Sequence, residues 1–185
     1  MINQHNNELG SENTFNDSNI QQQNAKTINN YINKVGQMSI PEKKSIIQEV
    51  LEGIIDLDIE INPITLDTVD YTIHDKIDHN KITTYQVAFD WYMSDSYLIE
   101  QRLNFLNENK SATSSERIYR FVKRIYMKHC GMFNPDQRIF CICEEIKNDL
   151  SKYPNISDED KALIPVVVFY VFSKCHIFEK PPISL

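Results

Sequence analysis

Residues 82–106 carry the longest regular pattern of the chain, ITTYQVAFDWYMSDSYLIEQRLNFL. Its apolar seam alternates spacings of three and four residues through Ile82, Tyr85, Phe89, Tyr92, Ser96, Ile99, Leu103 and Leu106. This a/d pattern predicts a helix about 36 Å long, because each helical residue rises about 1.5 Å, lying nearly parallel to a partner helix. The polar Ser96 and the aromatic positions favour a partner within the same chain, and a second subunit is the alternative.

Two further helices are predicted after this seam. Ser114 and Ser115 open the first, and its apolar face consists of Ile118, Phe121, Val122 and Ile125. Asn134 and Pro135 form the N-terminal signature of the second. The apolar residues of this helix are Ile139, Phe140, Cys143, Ile146 and Leu150. Together with the long seam, these segments predict an all-α helical bundle.

The last third contains the most apolar run, Val166–Phe172, which follows the acidic segment Ser157–Asp160. Its β-branched and aromatic residues favour a buried strand on propensity alone. A lone strand would leave its backbone groups without partners, so we interpret the run as a helix instead. Pro165 predicts that this helix is kinked or restarted there.

The region before the long seam is organised differently. Residues 1–26 are rich in Asn and Gln and predict a disordered arm, since they offer little apolar surface to bury. Residues 27–57 predict a short helical hairpin, whose second helix begins with a capping box of Ser39 and Glu42. An acidic connector then leads to the main domain, which we place at residues 67–182.

Composition narrows the classes of function. The 185 residues carry a net charge of −7, which disfavours a general phosphate-binding surface. The only basic patch is weak and consists of Arg117, Arg120, Lys123, Arg124 and Lys128. The N-terminus lacks a secretory signal and no apolar run is long enough to span a bilayer, so we expect a cytoplasmic protein without a membrane partner.

The sequence contains few motifs that indicate catalysis, phosphate binding or metal binding. No Gly-rich phosphate loop, nucleophile elbow or zinc helix can be assembled, and the four cysteines lack the spacing of metal ligands. The densest cluster of metal-binding residue types is His74, Asp75, Asp78 and His79. It lacks a further ligand nearby, so no metal, cofactor or small-molecule substrate is expected.

Arg124 and His129 form the one motif that suggests catalysis. An arginine and a histidine spaced this way on a helix resemble the active motif of HEPN ribonucleases, in which the two residues act together on RNA. That resemblance implies a ribonuclease toxin as an alternative function. His129 also lies just before Gly131, where a cationic side chain caps a helix C-terminus without any catalytic role.

Two sequence blocks resemble the C-terminal domains of bacterial ABC three-component conflict systems. The first, residues 70–82, is DYTIHDKIDHNKI, and is similar to an extended entry segment followed by a K-I-x-x-N motif at the start of the first long helix. The second, residues 171–181, is VFSKCHIFEKP, and is similar to an R/K-C-x-I-F-x-x-P ending. The resemblance covers about residues 67–182, with Pro165 and His176 departing from the usual pattern.

This resemblance implies a non-catalytic adaptor in a Lamassu-like anti-phage defence complex in bacteria. Its implied partners are a middle component, an SMC-like ABC ATPase and an effector nuclease, with nucleic acid reached only through the complex. Self-association as a helical regulator stays open as a further alternative. The residues expected at the partner interface are Tyr71, Ile73, Ile77, Phe172, Lys174, Cys175, Ile177 and Phe178.

Overall fold

The computed structural model describes residues 33–58, 71–132, 134–158, 160–174 and 176–182, and the single positions 22, 26 and 29. Every regular element in these ranges is helical, which confirms the predicted all-α class. Residues 33–37 are helical and precede the main elements. These are α1 (Ile40–Leu57), α2 (Ile73–His79), α3 (Gln86–Asn109), α4 (Ser114–His129), α5 (Pro135–Leu150), a 3-10 helix (Asp160–Leu163) and α6 (Ile164–Ser173). Within the described part of the chain, none of these helices could cross a membrane.

The long seam is buried as its pattern predicts. Seven of its eight positions lie in the core within this chain, and only Ser96 is partly exposed. α3 packs against α1, α4 and α6, so an intramolecular bundle covers the seam. The predicted start at Ile82 is wrong, because the helix begins at Gln86.

A carboxylate from α5 sets this later start. Asp136 accepts hydrogen bonds from the Thr83 amide at 3.1 Å, the Thr83 hydroxyl at 2.9 Å and the Tyr85 amide at 3.0 Å. Tyr85 occupies the N-cap position and offers no side-chain cap of its own. The buried Asp136 therefore satisfies amides that the first turn leaves without a partner.

α1 lies against α3, α4, α5 and the 3-10 helix. Its predicted capping box is present, with Ser39 and Glu42 bonded reciprocally. Gly53 allows a close approach, since a Cβ there would lie 2.8 Å from side-chain atoms of both Leu150 and Ile156. The core is thus continuous from α1 to the C-terminal helices, across the predicted domain boundary. The acidic connector is predicted at residues 56–70, and its residues 59–70 lie outside the described residues, as does most of the predicted arm 1–26.

The last helix restarts at the proline, as the sequence predicts. Ser157 and Asp160 bond reciprocally and lead into the 3-10 helix, and Pro165 lies in the first turn of α6. Residues 164–172 are all buried, with α3, α4 and α5 packed around them. A helix that is surrounded in this way can be apolar on every side, which explains the strand-like composition.

Candidate docking site

The two blocks of the resemblance meet in space. Lys76 of α2 is completely buried, and its ammonium donates to the carbonyls of Phe172 at 2.6 Å and Ile177 at 2.8 Å. The same ammonium lies 4.3 Å from the centre of the Phe172 ring. Because the last carbonyls of a helix lack intrahelical donors, a buried cation here stabilises the end of α6.

Asn80 makes the second connection, one turn further along. Its side-chain amide donates to the Glu179 carbonyl at 2.8 Å, and its carbonyl oxygen accepts from the Glu179 amide at 3.0 Å. His79 also lies 3.7 Å from the Glu179 carboxylate. We use the name clasp for Lys76 and Asn80 together with residues 172–174 and 176–179, to which they bond.

Phe178 stabilises the turn of this segment through the contacts of its ring. It is a non-glycine residue with a φ of 65°, a left-handed conformation that L-amino acids seldom adopt. Its ring packs on Phe172 at 5.5 Å and on Tyr126 at 5.2 Å, and the Arg138 guanidinium lies 5.2 Å above it. Burial of the ring therefore compensates for the strained backbone.

The residues of the predicted partner interface differ in burial. Ile77, Phe172, Ile177 and Phe178 are buried within this chain, so they form its core and offer no surface to a partner in this conformation. Tyr71, Ile73 and Lys174 are partly exposed. Cys175 lies outside the described residues.

A second buried charge lies where the C-terminal end of α1 meets α4. Asp58, the C-cap of α1, has no exposed surface, and three arginines of α4 face it. Arg120 lies 2.9 Å from its carboxylate, Arg124 3.9 Å and Arg117 4.0 Å. Arg117 also donates to the Asp58 carbonyl. The strongest part of the predicted basic patch is thus engaged in joining α4 to α1.

The two residues of the HEPN-like motif are directed to different carboxylates. Arg124 faces Asp58, whereas His129 bonds Glu145 of α5 at 2.9 Å. Lys128 also donates to Glu145. Partial burial of Glu145 opposes ionisation, but the bonds from Lys128 and His129 prevail and lower its pKa. Residues five apart on a helix point about 140° apart, which explains this divergence.

No metal centre is found in the part of the chain that is described: no three His, Cys, Asp or Glu side chains there could share an ion. In the His74–His79 cluster, Asp75 belongs to a capping box with Thr72. Hydrogen bonds from the Thr72 hydroxyl and amide lower the pKa of Asp75. This carboxylate therefore stabilises the start of α2.

Sequence reasoning missed the residues that matter most in these contacts. Lys76 and Asn80 are the lysine and asparagine of the K-I-x-x-N motif, which was the available signal for the clasp. Asp58 was interpreted as part of a solvated acidic linker. Its burial depends on arginines about 60 residues away, at spacings of three and four on α4 that place them on one face.

Comparisons with known proteins add no relative to these observations. No family model, no curated protein and no solved structure matches the chain. The fold and site define a helical bundle closed by a buried lysine clasp.

Proposed function

We propose that this protein is a non-catalytic adaptor that docks onto other proteins of a Lamassu-like ABC three-component defence system. One observation supports the proposal above the others: the blocks 70–82 and 171–181 are joined to each other by Lys76 and Asn80. Separated by about 90 residues in the chain, they form one structural unit. A resemblance that falls on one unit is stronger than two separate short matches.

The clasp also provides a rigid base for a docking surface. Its buried cation and reciprocal bonds fix α2 against the end of α6, so the exposed side chains around it are held in place. The proposed contacts are Tyr71 and Ile73, near the start of α2, and Lys174 in the clasp itself, all of which are partly exposed. Interfaces gain affinity when the binding surface is ordered before the partner arrives. Cytoplasmic complexes with a middle component and an SMC-like ABC ATPase follow from this proposal.

Co-purification with the products of the neighbouring genes tests the adaptor function. We expect a stable complex that contains an ABC ATPase or a middle component. The absence of any such complex would contradict the proposal. Two matched variants locate the interface. Lys174→Ala removes a partly exposed lysine bonded to Glu100, and Lys152→Ala removes an exposed lysine bonded to Asp149. Only the first is expected to weaken the complex.

The ribonuclease alternative makes a separate prediction. An enzyme that uses Arg124 and His129 would lose RNA cleavage, and any toxicity to the cell, in the His129→Ala variant. An adaptor would give the same result for wild type and variant. RNA cleavage assays with the two purified proteins distinguish the functions, and cleavage that depends on His129 would refute the non-catalytic assignment.

A further inference from the structure

A polar groove lies between α3 and α4, beside the last turns of α6. Its volume is about 420 Å³, within the usual range for small-ligand pockets of about 300–1,000 Å³. It adjoins the clasp, because Lys174 at the end of α6 reaches its rim. The residues that define it are Glu100, Leu103, Asn107, Glu116, Tyr119 and Tyr170.

Two buried tyrosines line this groove. Tyr119 and Tyr170 have stacked rings, and their hydroxyl oxygens lie 3.1 Å apart. A phenolic oxygen has lone pairs that can accept a hydrogen bond from an incoming donor, such as an ammonium or a guanidinium. Burial raises the pKa of both phenols, which keeps them neutral. The tyrosines therefore supply hydrogen bonds and ring surface, whereas the charge of the groove comes from other residues.

The chain itself contains an example of what the groove can hold. The Lys174 ammonium bonds Glu100 at 2.6 Å and lies 5.3 Å from the centre of the Tyr170 ring. A cation between a carboxylate and an aromatic face gains from both contacts. Glu116 provides a second carboxylate on the α4 side, and no cation among the described residues pairs with it. The groove thus has a net charge of about −1, from two carboxylates and one ammonium.

We propose that the groove receives one cationic side chain, a lysine or an arginine, from a protein partner, with Glu116 as its counter-charge. This inference rests on the proposed adaptor function and assigns a chemical character to the partner. The net charge of −7 supports it, since an acidic surface attracts basic segments and repels acidic ones. Tyr119 and Tyr170 line the groove beside Glu116, whereas the Asn107 amide is engaged with Ser115, to whose hydroxyl it donates at 2.9 Å and from whose backbone amide it accepts at 3.1 Å.

Titration with capped single amino acids tests the groove without any knowledge of the partner. The probes are N-acetyl-arginine methylamide and its neutral isostere N-acetyl-citrulline methylamide, with binding to the full chain followed by NMR chemical shifts. We expect saturable shifts around the groove for the arginine probe, at least fivefold weaker binding in Glu116→Gln, and a smaller loss in Tyr119→Phe. Equal binding of the neutral probe would overturn the proposal.

A matched control separates the local carboxylate from the overall charge. Glu49→Gln removes the same charge from an exposed position on α1, outside the groove, and is expected to leave binding of the arginine probe unchanged. Equal weakening in both variants would overturn the assignment to Glu116. If the co-purified complex forms but Glu116→Gln leaves its affinity unchanged, the adaptor function stands and the groove is rejected. If capped arginine binds and no complex forms, the adaptor function fails by itself.

Discussion

Lys76 and Asp58 are both charged and completely buried, yet their surroundings differ. Lys76 donates to two backbone carbonyls, whose positions are fixed by α6 and the turn after it. Asp58 is faced by three arginine side chains, of which Arg117 is 27% and Arg124 35% exposed. A buried charge whose only partners are fixed backbone groups has no substitute for them, whereas one among several cations keeps some compensation when one partner is lost.

The largest loss of stability is expected when Lys76 is replaced. In Lys76→Met the side chain keeps most of its volume, but the carbonyls of Phe172 and Ile177 lose their donor in a dry site. We expect the free energy of unfolding, measured by urea denaturation, to fall by about 2–4 kcal/mol. Lys123→Met, at an exposed position of α4, is the control and should change it by less than about 0.5 kcal/mol. Similar losses in the two variants would contradict the role of the clasp.

Removal of Asp58 should have a smaller effect. In Asp58→Ala the arginines of α4 lose their common carboxylate, and water can solvate the exposed parts of Arg117 and Arg124 but little of Arg120. We expect a loss of about 1–3 kcal/mol in the free energy of unfolding, below the full cost of an orphaned buried charge. The matched variant is Asp56→Ala, since Asp56 lies two residues before Asp58 and bonds Lys110 at the surface. This variant should lower the free energy of unfolding by less than about 1 kcal/mol. A larger loss for Asp56 would reverse the assignment.

The arginines themselves should rank by distance and burial. Arg120 lies 2.9 Å from the carboxylate with a side chain 10% exposed, and Arg124 lies 3.9 Å away with 35% exposed. We expect Arg120→Ala to cost about 1–2 kcal/mol, as a hydrogen bond to a buried charge does. Arg124→Ala should cost under about 0.5 kcal/mol. Thermal unfolding of both variants checks the order, and equal losses would argue against distance as the cause.

The smallest contribution to stability is expected from the partly exposed Glu145 and its bonds to Lys128 and His129. This contribution depends on pH. Bonds from Lys128 and His129 lower the pKa of Glu145 from its usual value near 4.5, although burial opposes them. Because the folded-state pKa is the lower one, the stabilisation is present above pH 4.5 and is lost as the pH falls through the folded value. The difference in unfolding free energy between wild type and Glu145→Gln should therefore shrink below pH 4.5. A difference that stays constant down to pH 3 would contradict this.

Whether a feature could be predicted from the sequence depends on how far apart in the chain the interacting residues are. The seam of α3, the apolar face of α4 and the capping box of Ser39 are local patterns, and all three are present. The start of α3 was misplaced because Asp136, about 50 residues later, satisfies the first amides. The predicted interface stays a prediction, but four of its residues, Ile77, Phe172, Ile177 and Phe178, are buried within this chain, because an apolar residue in a sequence pattern fits a core and a docking surface equally well.

By itself, the sequence determined the class of the fold, most of the helices and the restart at Pro165, because these depend on groups within about four residues of each other. Only the tertiary structure decided which charges are buried and what they hold. Lys76 bonds carbonyls 96 and 101 residues away, and these contacts exist only once α2, α3 and α6 are packed together. Burial then makes such bonds specific, since a charge without its partners would have no water to replace them.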